Sequence, residues 1–514
     1  EAKAKTVTVQ IDFDDIAERI ERVPTTDRAA SPAYCDGKKL WLNSRGEVKV
    51  MDFATGKTET CAAGARLREI TPDGKKALVN KGRNYYVANL GAKMSLGEAI
   101  NISTLNMTLN HSEEWAQIFN EAWRAYRDGF YLENMHGIDW KAIHDKYAVL
   151  LPYVKNRLDL TYVIGEMIGE LGCGHAYVNG GDHIMPDRIN MGLLGAEISR
   201  QGNYYRIDKI LQGAPYRPEL RSPLTAQGLN VKEGDYIVAI DGVPTSSTNN
   251  IYTMLVGKAG VLTELSINST ASEQGARKIV VEPIADEYPL YHYAWVQGNI
   301  KYVSEKTGGR VGYIYIPDMG PEGINEFSRY FYPQLDKEAL IIDDRGNGGG
   351  NVSPMIIERL LREPYRMTMY RGADRNGTIP DATHYGPKVL LLNKYSASDG
   401  DLFPWSFKKT KIGTAIGTRS WGGIVGISGS LPYVDGTDIR VPFFTNYDAT
   451  TGEWIVENHG VDPDILIDND PIREYNGEDQ QLDKAIEVVL EQLKDRKPLP
   501  KTPAPRVMKD LGIE

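Results

Sequence analysis

Ser398 lies in the run Lys394-Tyr395-Ser396-Ala397-Ser398-Asp399-Gly400-Asp401. An apolar β-type run, Val389 to Leu392, leads into it, and a helical pattern, Leu402 to Lys408, leads out. The spacing predicts a sharp strand-to-helix turn at Ser398, with its hydroxyl lifted above a sheet edge among free backbone N–H groups. Acyl transfer needs both, an exposed nucleophile and donors aimed at the developing oxyanion. The plain alternative is a Ser/Asp helix cap.

Three other stretches carry residue types that complete such chemistry. His175 follows Gly172-Cys173-Gly174, a glycine-rich helix stop that frees the imidazole to reach another element. Such a histidine is a general-base candidate, and a merely structural ring is the alternative. Asp344-Arg345-Gly346-Asn347-Gly348-Gly349-Gly350-Asn351 follows the apolar strand Ala339 to Asp343. A glycine run lets backbone N–H groups approach a ligand closely. It lacks the Gly-Lys-Ser/Thr ending of a phosphate-binding loop and the spacing of a dinucleotide fingerprint, which leaves an oxyanion hole or a bare loop. Glu457, in Glu457-Asn458-His459-Gly460-Val461-Asp462-Pro463-Asp464, is a carboxylate able to orient an imidazole. His459 beside it reads as substrate-side or structural.

These residues need elements to carry them. At about 150 residues per domain, 514 residues make three or four domains. Residues 1–105 read as short strands and turns, with Leu40 to Asn43 and Val48 to Met51 flanking Ser44-Arg45-Gly46. The arrangement occurs about twice and looks like propeller blades. Two blades fall short of the roughly four to eight that close a propeller. The natural protein is therefore expected to continue N-terminally. Residues 106–185 read as a small helical bundle carrying His175, with Ile118, Phe119, Ala122, Trp123 and Tyr126 at helical spacing. Residues 186–285 read as a β-rich module. Its segment Gly234-Asp235-Tyr236-Ile237-Val238-Ala239-Ile240-Asp241-Gly242 resembles the strand-turn of PDZ domains. Residues 286–496 alternate strands and helices, an α/β domain carrying Ser398 and Glu457. Residues 497–514 form a Pro-rich tail, expected to be extended and mobile. The fold class is thus multidomain α+β.

In this chain order the four motifs resemble the tricorn protease family of serine peptidases, relatives of the C-terminal processing peptidases. Arg124 to Tyr131, Asn134 to Trp140, Ser396 to Asp401 and Gly460 to Asp464 also match that family closely. The resemblance covers essentially the whole chain. It implies a partial β-propeller, a helical domain, a PDZ domain and a ClpP/crotonase-like catalytic domain. It implies Ser398 as nucleophile, His175 as general base and Glu457 as the acidic end of a relay. Oxyanion donors would be the backbone N–H of Asp399 and the Gly348, Gly349 and Gly350 loop. Oligopeptide substrates, a hexameric homo-oligomer and a cytoplasmic location, with export as the alternative, are also implied. One position departs from the pattern. Family members usually carry a serine immediately before the histidine, bridging it to the glutamate, and here it is Gly174. A water, a longer reach of Glu457 or a weak contact from Cys173 are the available substitutes. Asp374, in a polar loop, is a candidate acceptor for a basic substrate side chain.

Composition narrows the alternatives. Net charge is −10 with no basic run, which disfavours nucleic-acid binding. No apolar stretch is long enough to span a bilayer. Three cysteines, Cys35, Cys61 and Cys173, form neither a disulfide framework nor a metal pair, and Cys35 and Cys61 read as ordinary buried thiols, with a pairing across neighbouring strands as the alternative. The eight histidines show no metal-ligand spacing, so neither metal nor cofactor is indicated. A Ser-Lys processing peptidase would place a lysine in the strand after the serine's helix. Arg419-Ser420-Trp421-Gly422-Gly423-Ile424-Val425 has none. The non-enzyme alternative is a peptide-binding protein on the same scaffold, with Gly174 as its motif.

Overall fold

The computed structural model describes residues 10–20, 30–373, 376–429, 431–500 and 503. Asp374 and most of the Pro-rich tail lie outside the described residues. The chain divides into two compact units, Glu1–Leu109 and Asn110–Glu514.

The first unit holds two antiparallel meanders. One is four-stranded, built from β1 (Ser31–Cys35), β2 (Lys39–Ser44), β3 (Glu47–Asp52) and β4 (Thr58–Ala63). The other is three-stranded, from β5 (Arg66–Ile70), β6 (Lys76–Lys81) and β7 (Asn84–Asn89). Period-2 alternation sends Val48, Val50, Ala77 and Val79 into a shared core with Trp41 and Leu67. Cys61 is buried there, but Cys35 is exposed, contrary to its reading as a buried thiol. It stands at the last position of edge strand β1, just before the Asp36-Gly37 turn.

The second unit begins with a helical bundle of α1 (His111–Gly129), α2 (Trp140–Ala148) and α3 (Arg157–Gly169). Asn110, Asp139 and Asn156 cap the three N-termini, and Asn156 with Asp159 forms a capping box. The short strand β8 (Tyr177–Asn179) follows α3. A sheet of β9 (Ala196–Gln201), β10 (Tyr204–Ile210), β11 (Tyr236–Ile240), β12 (Val243–Pro244), β13 (Thr263–Asn268) and β14 (Arg277–Val281) comes next, closed around Ile207, Ile237, Leu265 and Ile267.

The α/β part opens with α4 (Tyr288–Lys306), β15 (Val311–Tyr315), α5 (Pro321–Phe331), β16 (Ala339–Asp343) and α6 (Ser353–Leu360). A small hairpin of β17 (Arg366–Thr368) and β18 (Gly377–Ile379) precedes β19 (Lys388–Leu392), α7 (Asp399–Lys409) and β20 (Thr414–Gly417). Short strands β21 (Gly426–Ile427), β22 (Leu431–Pro432), β23 (Asp438–Arg440) and β24 (Pro442–Phe444) lead to β25 (Ile465–Leu466), α8 (Pro471–Tyr475) and α9 (Gln480–Lys494). The main sheet is parallel, in the order β15-β16-β19-β20-β25. Its central strands are apolar on both faces because helices cover both. Leu340, Ile342, Leu390 and Leu392 pack with Phe327, Phe403 and Phe407. Ala339, Ile341, Val389 and Leu391 pack with Val303, Leu482 and Val489 on the opposite face.

The helical bundle is stitched onto this α/β part. β8 pairs antiparallel with β23, Tyr177 opposite Arg440 and Val178 opposite Ile439. Ile439 and Val441 are buried inside the bundle's own core, each burial stabilising the joint by about 1.5–3 kcal/mol. The Tyr126 hydroxyl donates to the Arg440 carbonyl at 2.8 Å. The Arg157 guanidinium, almost completely buried, meets Asp435 at 2.5 Å and also binds Thr437. His175 immediately precedes this seam, so the seam fixes where the imidazole stands.

Candidate active site

The nucleophile candidate is built by local chemistry. Parallel strand β19 delivers the chain to the sheet's C-terminal edge, where α/β sheets place their sites. Ser398 then adopts φ 59°, ψ −120°, a backbone conformation costly for a residue with a Cβ. Its surroundings hold it there. The Ser398 N–H donates to Asp401 Oδ2 at 3.0 Å. Asp401 also accepts from the Gly422 N–H at 2.8 Å and the Gly423 N–H at 3.2 Å. Ser396, fully buried, donates from Oγ to the Asp344 carbonyl at 2.8 Å. The Asp399 carboxylate accepts from the backbone and hydroxyl of Ser353, at 2.9 and 2.5 Å, and so fastens α7 to α6. Burial raises the pKa of both Asp399 and Asp401 above the ordinary carboxylate value, while these donors lower it.

The glycine loop comes against Ser398 from the neighbouring strand. A Cβ on Gly349 would sit 2.5 Å from Ser398 Cβ and 2.7 Å from the Ala397 carbonyl, and its φ is +86°. Only glycine permits that approach. The three glycines differ in what they offer. The Gly348 N–H donates to the Pro317 carbonyl at 3.3 Å, and the Gly349 N–H to Asn347 Oδ1 at 2.9 Å. These two, expected as donors together with Gly350, are therefore already engaged. Met319 bonds the Gly349 carbonyl and the Asn351 N–H across a parallel bridge, which turns the Gly350 N–H to the other side. Among the described residues, the Gly350 and Asp399 N–H groups have no protein acceptor. Both residues line one cavity of about 940 Å³ together with Ser398 and His175.

The imidazole arrives from the helical bundle. His175 is 8% exposed, its ring centroid 5.1 Å from that of Trp421 and 5.7 Å from that of Tyr177. The Tyr177 hydroxyl lies 3.3 Å from His175 Nδ1. With the ring proton on Nδ1, His175 donates to that oxygen, and Nε2 keeps the lone pair that base catalysis requires. Burial lowers the His175 pKa below its ordinary 6.5, although the negative charge of Glu457 acts in the opposite sense. The ring is thus neutral near pH 7. No hydrogen bond joins His175 to Ser398 Oγ in this structure. The two line the same cavity, and catalytic hydrogen bonds commonly tighten when substrate closes the site.

Glu457 does not touch the imidazole. Oε1 accepts from the Gly174 N–H at 3.2 Å, and Oε2 from the N–H groups of Ile424 and Val425 at 2.6 and 3.1 Å. Val456 and Asn458 on either side have φ of 64° and 59°, and Asn458 Nδ2 donates to the Gly172 carbonyl at 2.8 Å. This strained loop clasps the Gly172–Gly174 stop from the α/β side, and so holds the chain just before His175. Position 174 faces the Trp421 ring, whose nearest atom lies 3.3 Å from where a Cβ would be. The Cys173 thiol is directed to the Leu171 carbonyl at 3.8 Å, with its pKa pushed up to about 12 by burial and the Glu457 charge. His459 is exposed and paired with Asp462 at 2.9 Å.

Tyr177, Asp401 and Trp421 are parts of the site that motif reading passed over. Tyr177 had a signal, since it stands two residues after His175 entering a strand and so shares its face. Asp401, three residues after Ser398, had the spacing of a capping box. Trp421 had none. It is placed by its N–H to the Ser396 carbonyl at 2.9 Å. Among the described residues no lysine lines the cavity, and Arg419 is paired with Asp462, which leaves a Ser-Lys dyad without its base there. No helix among the described residues is long and apolar enough to cross a membrane.

A parallel sheet ending in a strained serine elbow, with a PDZ-like module and a helical bundle attached, defines a peptidase scaffold. Residues 310–467 match Peptidase family S41. Residues 192–286 match the Tricorn protease PDZ domain and residues 111–169 the Tricorn protease C1 domain. Tricorn protease homolog 1 of Streptomyces coelicolor is 35% identical over 95% of this chain and 48% of its own length. Tricorn protease of Thermoplasma volcanium is 35% identical over 84% of this chain and 41% of its own length. A solved structure titled crystal structure of the tricorn protease superposes with a TM-score of 0.81 at 30% identity, covering 91% of this chain and 47% of that one. The chain is thus similar to tricorn proteases over most of its length, with matches to their C1 and PDZ domains and to Peptidase family S41 in that order. It spans about half the length or less of these relatives.

Proposed function

We propose that this chain is a serine peptidase that cleaves oligopeptides through an acyl-enzyme. Ser398 Oγ attacks the scissile carbonyl, and His175 takes the hydroxyl proton and returns it to the leaving amine. The N–H groups of Asp399 and Gly350 receive the oxyanion, while Gly348 and Gly349 shape the loop that brings Gly350 there. Glu457 acts through the Gly174 backbone as a positioning residue, and its charge favours the imidazolium that forms during attack. The observation that carries this reading is the meeting of a strained serine, a neutral imidazole and two acceptor-less N–H groups in one cavity. The division into 1–105, 106–185, 186–285, 286–496 and 497–514 assigns the imidazole and the serine to different domains that share one site. Family resemblance adds a homo-oligomer, a hexamer, and a cytoplasmic location, which sedimentation and cell fractionation test.

A fluorophosphonate probe tests the chemistry. Labelling lost in both Ser398→Ala and His175→Ala supports the peptidase. A folded chain that takes no label sinks it. One observation favours a second reading, a peptide-binding protein with an idle serine: Glu457 spends both oxygens on backbone N–H groups, and none on the imidazole. Peptide binding without labelling would select it.

A further inference from the structure

Outside the cavity, three side chains converge where the sequence alone indicates no metal. His111 and Glu114 stand one turn apart at the start of α1, and Asp182 comes from the loop after β8. One ligand atom from each lies within 4.8 Å of the others. His111 Nδ1 and Glu114 Oε2 are 3.4 Å apart. That is the edge of a tetrahedron around a cation with bonds of about 2.1 Å, the length of zinc–imidazole and zinc–carboxylate bonds.

A second observation points to a ligand. The Glu114 side chain is only 10% exposed, and its Oε2, the atom facing His111, is buried without a hydrogen-bond partner. A carboxylate oxygen taken from water and left without a hydrogen bond is costly, and a cation on it removes that cost. Among the described residues neither Glu114 nor Asp182 pairs with a lysine or arginine. His111 is held by stacking on Trp115, centroids 5.6 Å apart, which leaves its ring nitrogens for coordination. We propose that His111, Glu114 and Asp182 bind a divalent cation of the zinc class, with water completing its coordination. One imidazole with two carboxylates selects a borderline metal over magnesium or calcium, which prefer all-oxygen sets.

The position gives the ion a structural role. Gly180 and Gly181, with φ of 77° and 91°, turn the chain back from β8 toward α1. A cation there ties the end of the strand that follows His175 to the first helix of the bundle. Binding to the folded chain alone raises its stability by mass action.

The test uses the whole chain, stripped with chelator and titrated with Zn²⁺ by calorimetry, and with Co²⁺ by absorption spectroscopy. One equivalent bound in the micromolar range or tighter, together with a zinc-dependent rise in the melting temperature, is the expected result. Loss of even an outer partner of a metal site costs about 10–100-fold in affinity, so His111→Ala and Asp182→Asn should each weaken binding by more than about 10-fold. Asp182 is exposed on a loop, so its variant decides the matter if Glu114→Gln fails to fold. No stoichiometric binding, or affinity unchanged in Asp182→Asn because other histidines or cysteines hold the ion, overturns the proposal.

Discussion

The serine side and the histidine side of this cavity are held in opposite ways. Ser398 is fixed by neighbours close in sequence and by one facing loop: Asp401 on its N–H, Asp399 on Ser353, Gly349 against its Cβ. His175 is fixed by partners hundreds of residues away: β23 beside β8, Asp435 on Arg157, Glu457 and Asn458 on the Gly172–Gly174 stop. The elbow is a local solution to backbone strain. The imidazole is placed by docking. Damage to the first should therefore remove activity and spare the fold, whereas damage to the second should loosen the fold and lose activity as a consequence.

The sharpest break is at the elbow. Ser398→Ala should lower peptide hydrolysis by about 10⁴-fold or more. Circular dichroism and melting temperature should stay near the wild type. Adding His175→Ala to it should cost almost nothing further, because the two act as a unit. Full additivity in fluorogenic-peptide kinetics would separate them and contradict the shared mechanism. On the docking side, Arg157→Met leaves the buried Asp435 without its cation, held only by hydrogen bonds from Thr437. Removing one partner of a buried pair costs about 3–5 kcal/mol, read by urea unfolding, and the label on Ser398 should fall with it. Stability lost with labelling intact would show that the imidazole does not depend on the seam.

Smaller effects refine the comparison. Gly349→Ala should lower kcat by about 10²–10³-fold, the scale of a lost oxyanion donor, because the new methyl drives the loop off Ser398 and takes the Gly350 N–H with it. The smallest effect is in the pH profile. A base must be neutral, and burial lowers the His175 pKa, so the acid limb of kcat/KM should fall below pH 6.5. Glu457 works against that shift, so Glu457→Gln should move the limb further to acid. A limb moving to higher pH would mean that Glu457 does not act on this ring. The same pKa bears on stability. A histidine buried neutral loses stability as pH falls below its unfolded value near 6.5, since the unfolded chain takes up the proton more readily.

The strand-to-helix turn at Ser398, the glycine loop after β16 and the apolar runs of β16 and β19 were legible because each follows from local rules. Period, run length and glycine position act within a few residues. The multidomain α+β class was legible for the same reason. The narrowing of three candidate donors to Gly350 was not, since it depends on Met319 and Asn347 engaging the others. Nor was the answer at Gly174. Of the substitutes considered there, neither Cys173 nor a longer Glu457 side chain reaches the ring, and Tyr177 stands at Nδ1 instead. Exposed Cys35 and the convergence of Asp182 on His111 and Glu114 were likewise hidden. By itself the sequence determined which residues are chemically able and the local backbone each would adopt. The tertiary structure decided which of them meet, because every contact between the histidine side and the serine side is made across chain separations over which local propensity carries no information.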